Sequence, residues 1–432
     1  MNAPVFFFTA EDPREIPKGS RDPLRVTPIW SGIARQMIPY LTTVTPSYRG
    51  FFTRVLFHGS LETLRPQLAQ ASRDIQWTAF SKFEQLCGIV RASCEPVTPQ
   101  LPGITGIAHR VNEGDFTVGT KSLLVKSQRM TGFWGYYHQA SVGSSILQRN
   151  QAPKPGYLLS DAASAAFHQS SAADLVRQYQ DVFCQIFDLD SIPLKLSQFE
   201  ALAQCFATQP VSEPDWGEFW IRHLLTPSLT PVAADGSAIQ WAFANEVKAI
   251  VENDPSLSAG DVWERLVECQ HSGVSAYARK VQAIEAIIGL CEWVFDVCRL
   301  RPNDGDTLQA AAKWASEQYI GEWLNRLKVL EEPSDPELRQ YRDIALQRDD
   351  SFIDLARILL KKHEVVMRDR AGAPWVKLLD ENVLQVRERS DYPQPPDPAR
   401  YPSGVRWRYD YFLAAWINIA KEIGYIQEAA DV

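Results

Sequence analysis

The segment SAYARKVQAIEAIIGLCEWVFDVC, residues 275–298, decides the fold class. Its apolar residues recur at helical spacing in the first half and surround the helix on every side in the last turns. A helix that is apolar all round is stable in water only when other elements cover it. We therefore expect a long, buried central helix here and a mainly α fold packed around it.

Helical patterns continue on both sides of this segment, from about residue 160 to residue 360. Amphipathic stretches precede it, and DTLQAAAKWASEQYIGEWLNRLKVL and PELRQYRDIALQRDDSFIDLARILLKKHE follow it. Nearer the N-terminus, the pattern predicts helices over about 28–40, from about residue 48, and over 61–93. The sequence thus predicts a helical body that extends over most of the chain.

The pattern changes after residue 363. Residues 364–389 alternate apolar and polar side chains around Ala-Gly-Ala-Pro and Asp-Glu-Asn, which predicts a β-hairpin or three short strands. The proline-rich stretch SDYPQPPDPARYPSG follows, and its prolines exclude regular structure. RWRYDYFLAAWINIAKEIGY then predicts a last helix. The order of these elements predicts a small C-terminal α+β part with a winged-helix-like form.

Breaks rich in proline and glycine divide the chain into three predicted domains. The first, residues 1–150, is helical and contains a Gly/Ser-rich segment. The second, residues 151–360, is a helical bundle, and the third, residues 361–432, combines the hairpin with the last helix. The first boundary falls in RNQAPKPGY, which is typical of a turn or linker.

Composition and charge argue against several classes of protein. The formal net charge is −8, which argues against a protein that coats nucleic acid by bulk charge. The first residues lack the basic and apolar regions of a signal peptide, and no uncharged apolar stretch is long enough to span a membrane. The seven cysteines are scattered and form no CxxC pair, as in proteins with reduced thiols. We expect a cytoplasmic protein without a membrane segment, a bound metal or a cofactor.

The stretch LTTVTPSYRGFF, residues 41–52, contains a first candidate site. Thr45, Tyr48 and Arg49 combine hydroxyl groups with a planar guanidinium, a set that suits a phosphate or a carboxylate ligand. A structural interpretation is also open. In it, Thr45 or Ser47 caps a helix that starts near Tyr48, and Arg49 ties the loop to nearby carbonyl groups.

Arginines interleaved with aromatic residues near the C-terminus form a second candidate site. The residues predicted to bind nucleic acid are Arg368, Arg370, Trp375, Arg406 and Arg408. Arginines placed between aromatic rings can follow a phosphate backbone while the rings stack on bases. The alternative is a solvated wing whose aromatic residues pack in the core.

A third candidate is a nuclease-like metal site. Asp235, Glu246 and Lys248 follow the Asp…Glu-x-Lys order found in many nucleases. That chemistry requires both carboxylates to converge on one metal ion. The surrounding residues, IQWAFANEVKAIVEND, instead predict a helix, on which Glu246 and Lys248 do not share a face.

Three stretches resemble a family of uncharacterised bacterial proteins. They are PIWSGIARQMIPYLTTVTPSYRGFFTRVLF at 28–57, HEVVMRDRAGAPWV at 363–376 and RWRYDYFLAAWINIAKEIGY at 406–425. Genes of that family tend to lie in anti-phage defence islands, beside helicases and nucleases. The resemblance implies a role in antiviral defence with a helicase or nuclease subunit as the protein partner, and it assigns no catalytic residue.

These observations lead to competing functional hypotheses. The first is a non-enzymatic subunit of a bacterial defence complex, a scaffold, sensor or adaptor that contacts DNA through its C-terminal arginines. The alternative is a metal-dependent nuclease or phosphodiesterase with a dispersed site. A third hypothesis is a sensor that binds a nucleotide phosphate through Thr45, Tyr48 and Arg49.

Overall fold

The computed structural model describes residues 22–93, 107, 111, 114–227, 234–300, 307–317, 320–347, 351–379, 382–389 and 407–427. Helices predominate among these residues, and the strands form small antiparallel sheets. The predicted mainly α fold is therefore confirmed.

The described residues form two compact units, each discontinuous in sequence. One lies within Met1–Gln36 and Leu257–Tyr411, and we call it the central-helix unit. The other lies within Met37–Ser256 and Phe412–Val432, and we call it the cavity unit. The three predicted domains, with boundaries after residues 150 and 360, stay a prediction.

Most elements up to residue 253 belong to the cavity unit. In chain order, the elements of this part are α1 Thr27–Met37, α2 Tyr48–Leu64, α3 Pro66–Ala69, α4 Arg73–Ser93, β1 Asp115–Gly119, α5 Gln128–Thr131, α6 Phe133–Gly143, β2 Leu147–Arg149, β3 Tyr157–Leu159, α7 Asp161–His168, α8 Ser171–Gln178, α9 Gln180–Asp188, β4 Ser191–Lys195, α10 Glu200–Ala207, α11 Pro214–Trp220 and α12 Ala234–Asn253. β1 pairs with β4, and β2 pairs with β3.

The remaining elements are mostly those of the central-helix unit. They are α13 Ala259–Val267, α14 Ser272–Cys298, α15 Leu308–Glu317, α16 Ile320–Leu327, α17 Pro336–Gln347, α18 Ser351–Asp369, β5 Val376–Leu378, β6 Leu384–Val386 and α19 Leu413–Glu422. The last of these, α19, belongs to the cavity unit.

The expected buried central helix is α14. Every residue from Val281 to Cys291 is buried, and the helix packs against α13, α17 and α18. His271 caps its first turn by accepting a hydrogen bond from the Val274 backbone N–H at 3.3 Å. Each large apolar side chain that α14 buries contributes about 1.5–3 kcal/mol to folding, so this one helix organises its unit.

Glu285 brings a carboxyl group into this apolar helix. One of its oxygens accepts hydrogen bonds from the backbone N–H groups of Arg408 and Tyr409, the latter at 3.2 Å. Its other oxygen bonds to the Tyr411 hydroxyl at 2.9 Å. Burial raises the pKa of Glu285 to about 7, against the effect of these bonds. The buried carboxyl therefore holds residues 408–411 against α14.

The backbone of this segment is strained at Tyr411. Its φ angle is 52°, in the left-handed region that costs an L-residue roughly 1–2 kcal/mol. The ring of Tyr411 lies edge-on to Trp30, with the centroids 5.9 Å apart, and edge-on to Trp263 at 6.1 Å. These contacts and the bond to Glu285 hold the residue in its strained conformation.

The predicted C-terminal hairpin is present but shorter than expected. β5 and β6 pair antiparallel, with Val376 opposite Val386. Residues 364–369 belong instead to the end of α18, so the prediction of strand from residue 364 is wrong. The reason is that Val366 and Met367 are buried and continue the apolar face of α18. The winged-helix-like form stays a prediction.

The cavity unit is organised around α2, which is buried along most of its length. Phe51 packs edge-on to Tyr137, with the centroids 4.8 Å apart, and Phe57 packs edge-on to Phe80 at 5.0 Å. At Gly50 a Cβ atom would lie 2.3 Å from the Tyr137 ring. Only glycine, which has no Cβ atom, allows the Tyr137 ring to lie this close to the backbone of α2. This contact explains the glycine at position 50.

We predict that Glu285 makes the protein less stable as the pH rises. A carboxyl whose pKa is raised in the folded state binds its proton more tightly there than in the unfolded chain. Its contribution to the free energy of unfolding is therefore full below about pH 4.5 and falls as the pH rises through about 7. Glu285→Gln keeps the hydrogen-bonding pattern without this titration. We expect it to be more stable than the natural protein at pH 8 by about 1–3 kcal/mol.

Urea denaturation at pH 5 and pH 8 measures this difference. Glu268→Gln, which changes an exposed carboxyl of the same unit, is the control and should leave the pH dependence unchanged. Glu285→Ala should lose about 2–4 kcal/mol, because three donors lose their acceptor. An unchanged pH dependence in Glu285→Gln would show that the Glu285 carboxyl does not titrate as described.

Candidate functional site

The predicted helix start near Tyr48 is confirmed, and its cap is Ser47. The Ser47 hydroxyl accepts a hydrogen bond from the Arg49 backbone N–H at 3.3 Å. The Arg49 side chain donates to the Phe206 carbonyl at 2.7 Å and pairs with Glu422 at 2.6 Å. Arg49 thus ties the loop to a carbonyl group, as the structural interpretation of this stretch expects.

The other two predicted ligand residues have different surroundings. Thr45 is buried, and its hydroxyl accepts a hydrogen bond from the Thr42 backbone N–H at 2.8 Å. Tyr48 packs edge-on to Trp220, with the ring centroids 4.9 Å apart, and also lines a cavity. The structure therefore uses Thr45 and Arg49 for internal contacts, and it does not bring them together with Tyr48 at that cavity.

The predicted nucleic-acid residues are divided between the interior and the surface. Arg406 lies outside the described residues. Arg408 pairs with Glu292 at 3.0 Å. Trp375 is 9% exposed, and the Arg299 guanidinium lies 4.8 Å from the centre of its ring.

Arg368 and Arg370 are the exposed members of this predicted set among the described residues. Arg370 donates a hydrogen bond to the Asp22 carbonyl at 2.9 Å. With Trp375 buried and Arg408 in an ion pair, the described residues do not combine stacking rings and free arginines on one surface. A contact with DNA through this part now depends on Arg368 and Arg370.

The nuclease-like residues all lie on one helix, α12; the sequence predicts this helix around Glu246 and Lys248, and the structure begins it earlier, before Asp235. The backbones of Asp235 and Glu246 are about 16 Å apart along its axis, which is too far for both carboxylates to bind one metal ion. Lys248 pairs with Glu252 and also donates to the Tyr425 carbonyl. In the described part of the chain, no group of three or more His, Cys, Asp and Glu side chains could hold a metal.

A basic cavity in the cavity unit was not predicted. It has a volume of about 330 Å³ and opens between the beginning of α4 and the loop that joins β2 to β3. Arg73, Arg149 and Lys154 line it with exposed side chains, and no described residue forms an ion pair with them. Asp74, also in the wall, pairs with Arg129. The beginning of α4 adds partial positive charge, so the cavity attracts anions.

Two buried amide side chains hold the wall of this basic cavity. Asn150 donates a hydrogen bond to the Ala71 carbonyl at 2.9 Å. Gln76 donates to the Tyr157 carbonyl at 3.0 Å and accepts from the Tyr157 backbone N–H at 2.8 Å. A Cβ atom at Gly156 would lie 2.4 Å from the Ala71 carbonyl oxygen. The loop and α4 are therefore fixed together before any ligand binds.

Behind the wall residue Tyr157 lies a basic cluster, which we define as the buried Arg54 and His58 with the partly buried His138. The rings of Tyr157 and His138 are in contact, with their centroids 4.4 Å apart. Arg54 is fully buried, and none of its side-chain nitrogens donates a hydrogen bond to a described residue. Its guanidinium carbon lies 4.4 Å from the Trp134 ring centre and 5.1 Å from that of Phe80. Cation–π contacts thus replace the usual acceptors.

Burial makes both histidines of this cluster difficult to protonate. The pKa of His58 lies well below its ordinary value because of burial and then because of Arg54. Neither nitrogen of His58 makes a hydrogen bond of normal geometry with a described residue. The nearby Tyr157 carbonyl raises the pKa of His58, but by less than burial and Arg54 lower it. The pKa of His138 is lowered to about 4 by burial, and then by Arg54, Arg73 and Arg149. One imidazole therefore experiences the field of the buried arginine and of two arginines in the cavity wall.

Glu84 is the acidic neighbour of Arg54. Burial raises the pKa of its carboxyl to about 7, and it accepts hydrogen bonds from the Phe133 backbone N–H and from the Gln128 amide, the latter at 2.8 Å. Burial also lowers the pKa of Arg54 to about 9, and Glu84 opposes this change. Since Glu84 is only partly ionised near neutral pH, it does not cancel the positive charge of the cluster.

This site was missed because its residues come from four separate segments of the chain. One signal was present in FFTRVLFH, residues 51–58, where Arg54 and His58 lie one helical turn apart in an otherwise largely apolar run. Ionisable groups inside an apolar helix are costly unless a partner or a function retains them.

Comparisons with protein-family models, with curated proteins and with solved structures find no match to this chain. The resemblance to proteins of defence islands therefore stays a prediction, and so does everything that it implies about partners. Among the described helices, none combines the length and the apolar character that a membrane crossing requires.

We predict that replacing Arg54 by methionine makes the protein more stable. The substitution removes a fully buried charge that donates no hydrogen bond to a described residue, and it keeps an unbranched apolar side chain, shorter than that of arginine, between the aromatic rings. We expect the free energy of unfolding to rise by about 1–2 kcal/mol, because the desolvation cost that is relieved exceeds the cation–π attraction that is lost. Measurement at pH 6 keeps most of the Glu84 carboxyl protonated.

Arg91→Met is the matched control. Arg91 is also buried, but it donates a hydrogen bond to the Ser47 hydroxyl at 2.9 Å. Urea denaturation should show that Arg91→Met destabilises the protein by about 1–3 kcal/mol. If Arg54→Met were destabilising to the same degree, Arg54 would be an ordinary structural residue and the site would lose its main support.

Proposed function

We propose that this protein is a cytoplasmic, non-enzymatic sensor subunit of a bacterial defence complex, and that it binds a phosphate-bearing anion in the basic cavity. One observation carries the proposal. Arg73, Arg149 and Lys154 surround the cavity and form no ion pair with a described residue, while Arg54 lies behind Tyr157 and donates no hydrogen bond to the described part of the chain. An anion in the cavity lowers the electrostatic energy of the three wall cations and also that of Arg54 behind them.

The donors of the cavity favour a phosphate over a single carboxylate. Arginine offers a planar fork that matches phosphate oxygens, and lysine adds a point charge. The beginning of a helix as long as α4 is a further site of attraction for phosphate. A cavity of about 330 Å³ is at the small end of the range of ligand sites. We therefore propose a small phosphorylated compound, such as a nucleotide.

A sensor also needs a route from the ligand into the fold. Tyr157 belongs to the cavity wall and at the same time contacts His138, which experiences the field of Arg54 on α2. A ligand that binds at the cavity wall thus acts on α2 through Tyr157 and His138. The resemblance to proteins of defence islands supports a helicase or nuclease as the partner, and Arg368 and Arg370 support a contact with DNA.

We predict that pyrophosphate and ATP bind to the purified protein at low ionic strength. Isothermal titration should show that the double variant Arg149→Ala/Lys154→Ala binds them at least about tenfold more weakly, since two of the charges that face the phosphate are gone. Lys121→Ala/Lys126→Ala is the control, because it removes the same charge from exposed positions outside the cavity. Absence of heat with both compounds, or equal losses in both variants, would rule out this site.

We predict that a tagged copy of the protein, isolated from its native host, retains a helicase or nuclease subunit in stoichiometric amount. Mass spectrometry identifies the partner, and extraction at low and high salt tests for nucleic acid. Salt-sensitive DNA that disappears in Arg368→Ala/Arg370→Ala supports the contact. A chain that purifies alone would remove the subunit hypothesis and leave only the ligand site.

A further inference from the structure

A second cavity of the cavity unit has the opposite electrostatic character. It has a volume of about 330 Å³ and lies where α8, the end of α10 and the beginning of α11 meet. Asp174 and Glu213 line it, whereas none of the described lining residues is Lys, Arg or His. We call it the acidic cavity. It is separate from the phosphate site, and the proposed function does not use it.

Glu213 is held with its carboxylate in the wall of the acidic cavity. The Ser171 backbone N–H donates to one oxygen at 2.9 Å, and the Ser171 hydroxyl donates to the other at 2.6 Å. A carboxylate oxygen accepts more than one hydrogen bond, so both oxygens retain capacity for a ligand. Asp174 lies three residues after Ser171 on α8, with a side chain 71% exposed that pairs with exposed Arg177. Both carboxylates lie at the beginning of α8, whose partial positive charge stabilises them, and Arg177 balances the charge of Asp174, so Glu213 is the main negative group of the cavity.

The end of α10 adds to this negative field. The last carbonyl groups of a helix lack partners within it and carry partial negative charge. Gln204, Cys205 and Thr208, which belong to this last turn and its cap, line the cavity. The same helix end already binds a cation of the chain, since the Arg49 guanidinium donates to the Phe206 carbonyl.

The rest of the wall is aromatic and apolar. Tyr48 and Trp216 are almost fully buried and contribute to the lining, as do Leu175 and Pro210. Burial raises the pKa of Cys205 to about 12, so its thiol is neutral and adds apolar surface. A ligand with a short hydrocarbon part fits this lining, and aromatic rings also favour a nearby cation.

We propose that the acidic cavity binds a small organic cation, namely a primary ammonium group on a short hydrocarbon chain. The ammonium group donates hydrogen bonds to Glu213 and to the side-chain oxygen of Gln204, close to the end of α10. The hydrocarbon chain lies against Tyr48 and Trp216. A neutral compound of the same shape lacks the charge that the Glu213 carboxylate attracts, so charge selects the ligand.

Butylammonium is the probe, and 1-butanol, which has nearly the same shape and no charge, is the control compound. NMR titration of the full chain is suited to the millimolar affinity that so few atoms can provide. We expect saturable shifts with butylammonium and none with 1-butanol. Glu213→Gln preserves the shape of the side chain, and it should weaken binding at least about tenfold through loss of one charge.

Asp215→Asn is the matched control, because it removes a neighbouring exposed carboxyl that does not line the cavity; it should leave binding unchanged. Ala201→Leu fills the cavity without changing its charge and should abolish binding. Equal binding of 1-butanol, unchanged binding in Glu213→Gln, or binding that survives in folded Ala201→Leu would each overturn the proposal. Loss of the phosphate site has no bearing on this result, since its residues are different.

Discussion

Each unit buries an ionisable side chain in a helix that is otherwise largely apolar, and the cost of removing that group from water determines what surrounds it. In α14, the carboxyl of Glu285 receives hydrogen bonds from residues 408–411. In α2, Arg54 donates none to the described residues and lies between aromatic rings. The satisfied group explains the fold of its unit, whereas the unsatisfied group points to a function.

The cavity unit places two cavities of opposite charge at opposite kinds of helix end. The basic cavity lies at the beginning of α4, which carries partial positive charge, and the acidic cavity lies at the end of α10, which carries partial negative charge. Side chains strengthen each field, with arginines at the first and carboxylates at the second. At the basic cavity the backbone and the side chains agree in sign, whereas at the acidic cavity the beginning of α8, which donates the Ser171 N–H to Glu213, opposes the end of α10.

Local patterns in the sequence were sufficient for features that neighbouring residues determine. The buried helix α14, the start of α2 near Tyr48 and the presence of a C-terminal hairpin are of this kind. Local patterns were insufficient for the charged residues, because the roles of these residues depend on partners that are distant in the sequence. Arg408 looks like a DNA-binding residue until Glu292 is seen to pair with it. Conversely, Arg73 and Arg149 look like ordinary surface charges, and the hydrogen bonds that fix the β2–β3 loop to the beginning of α4 bring them to one cavity.

The discontinuity of the units has a consequence for synthesis of the chain. Residues 37–256 of the cavity unit leave the ribosome before α19, which follows only after the whole of the central-helix unit. At usual translation rates this interval is on the order of ten seconds. Until this interval ends, Ser47 and Arg49 lack their partner Glu422, and the beginning of α2 is not yet covered by α19. The nascent cavity unit is thus exposed to chaperones during a defined period, and a chain that stops before residue 412 never leaves that state.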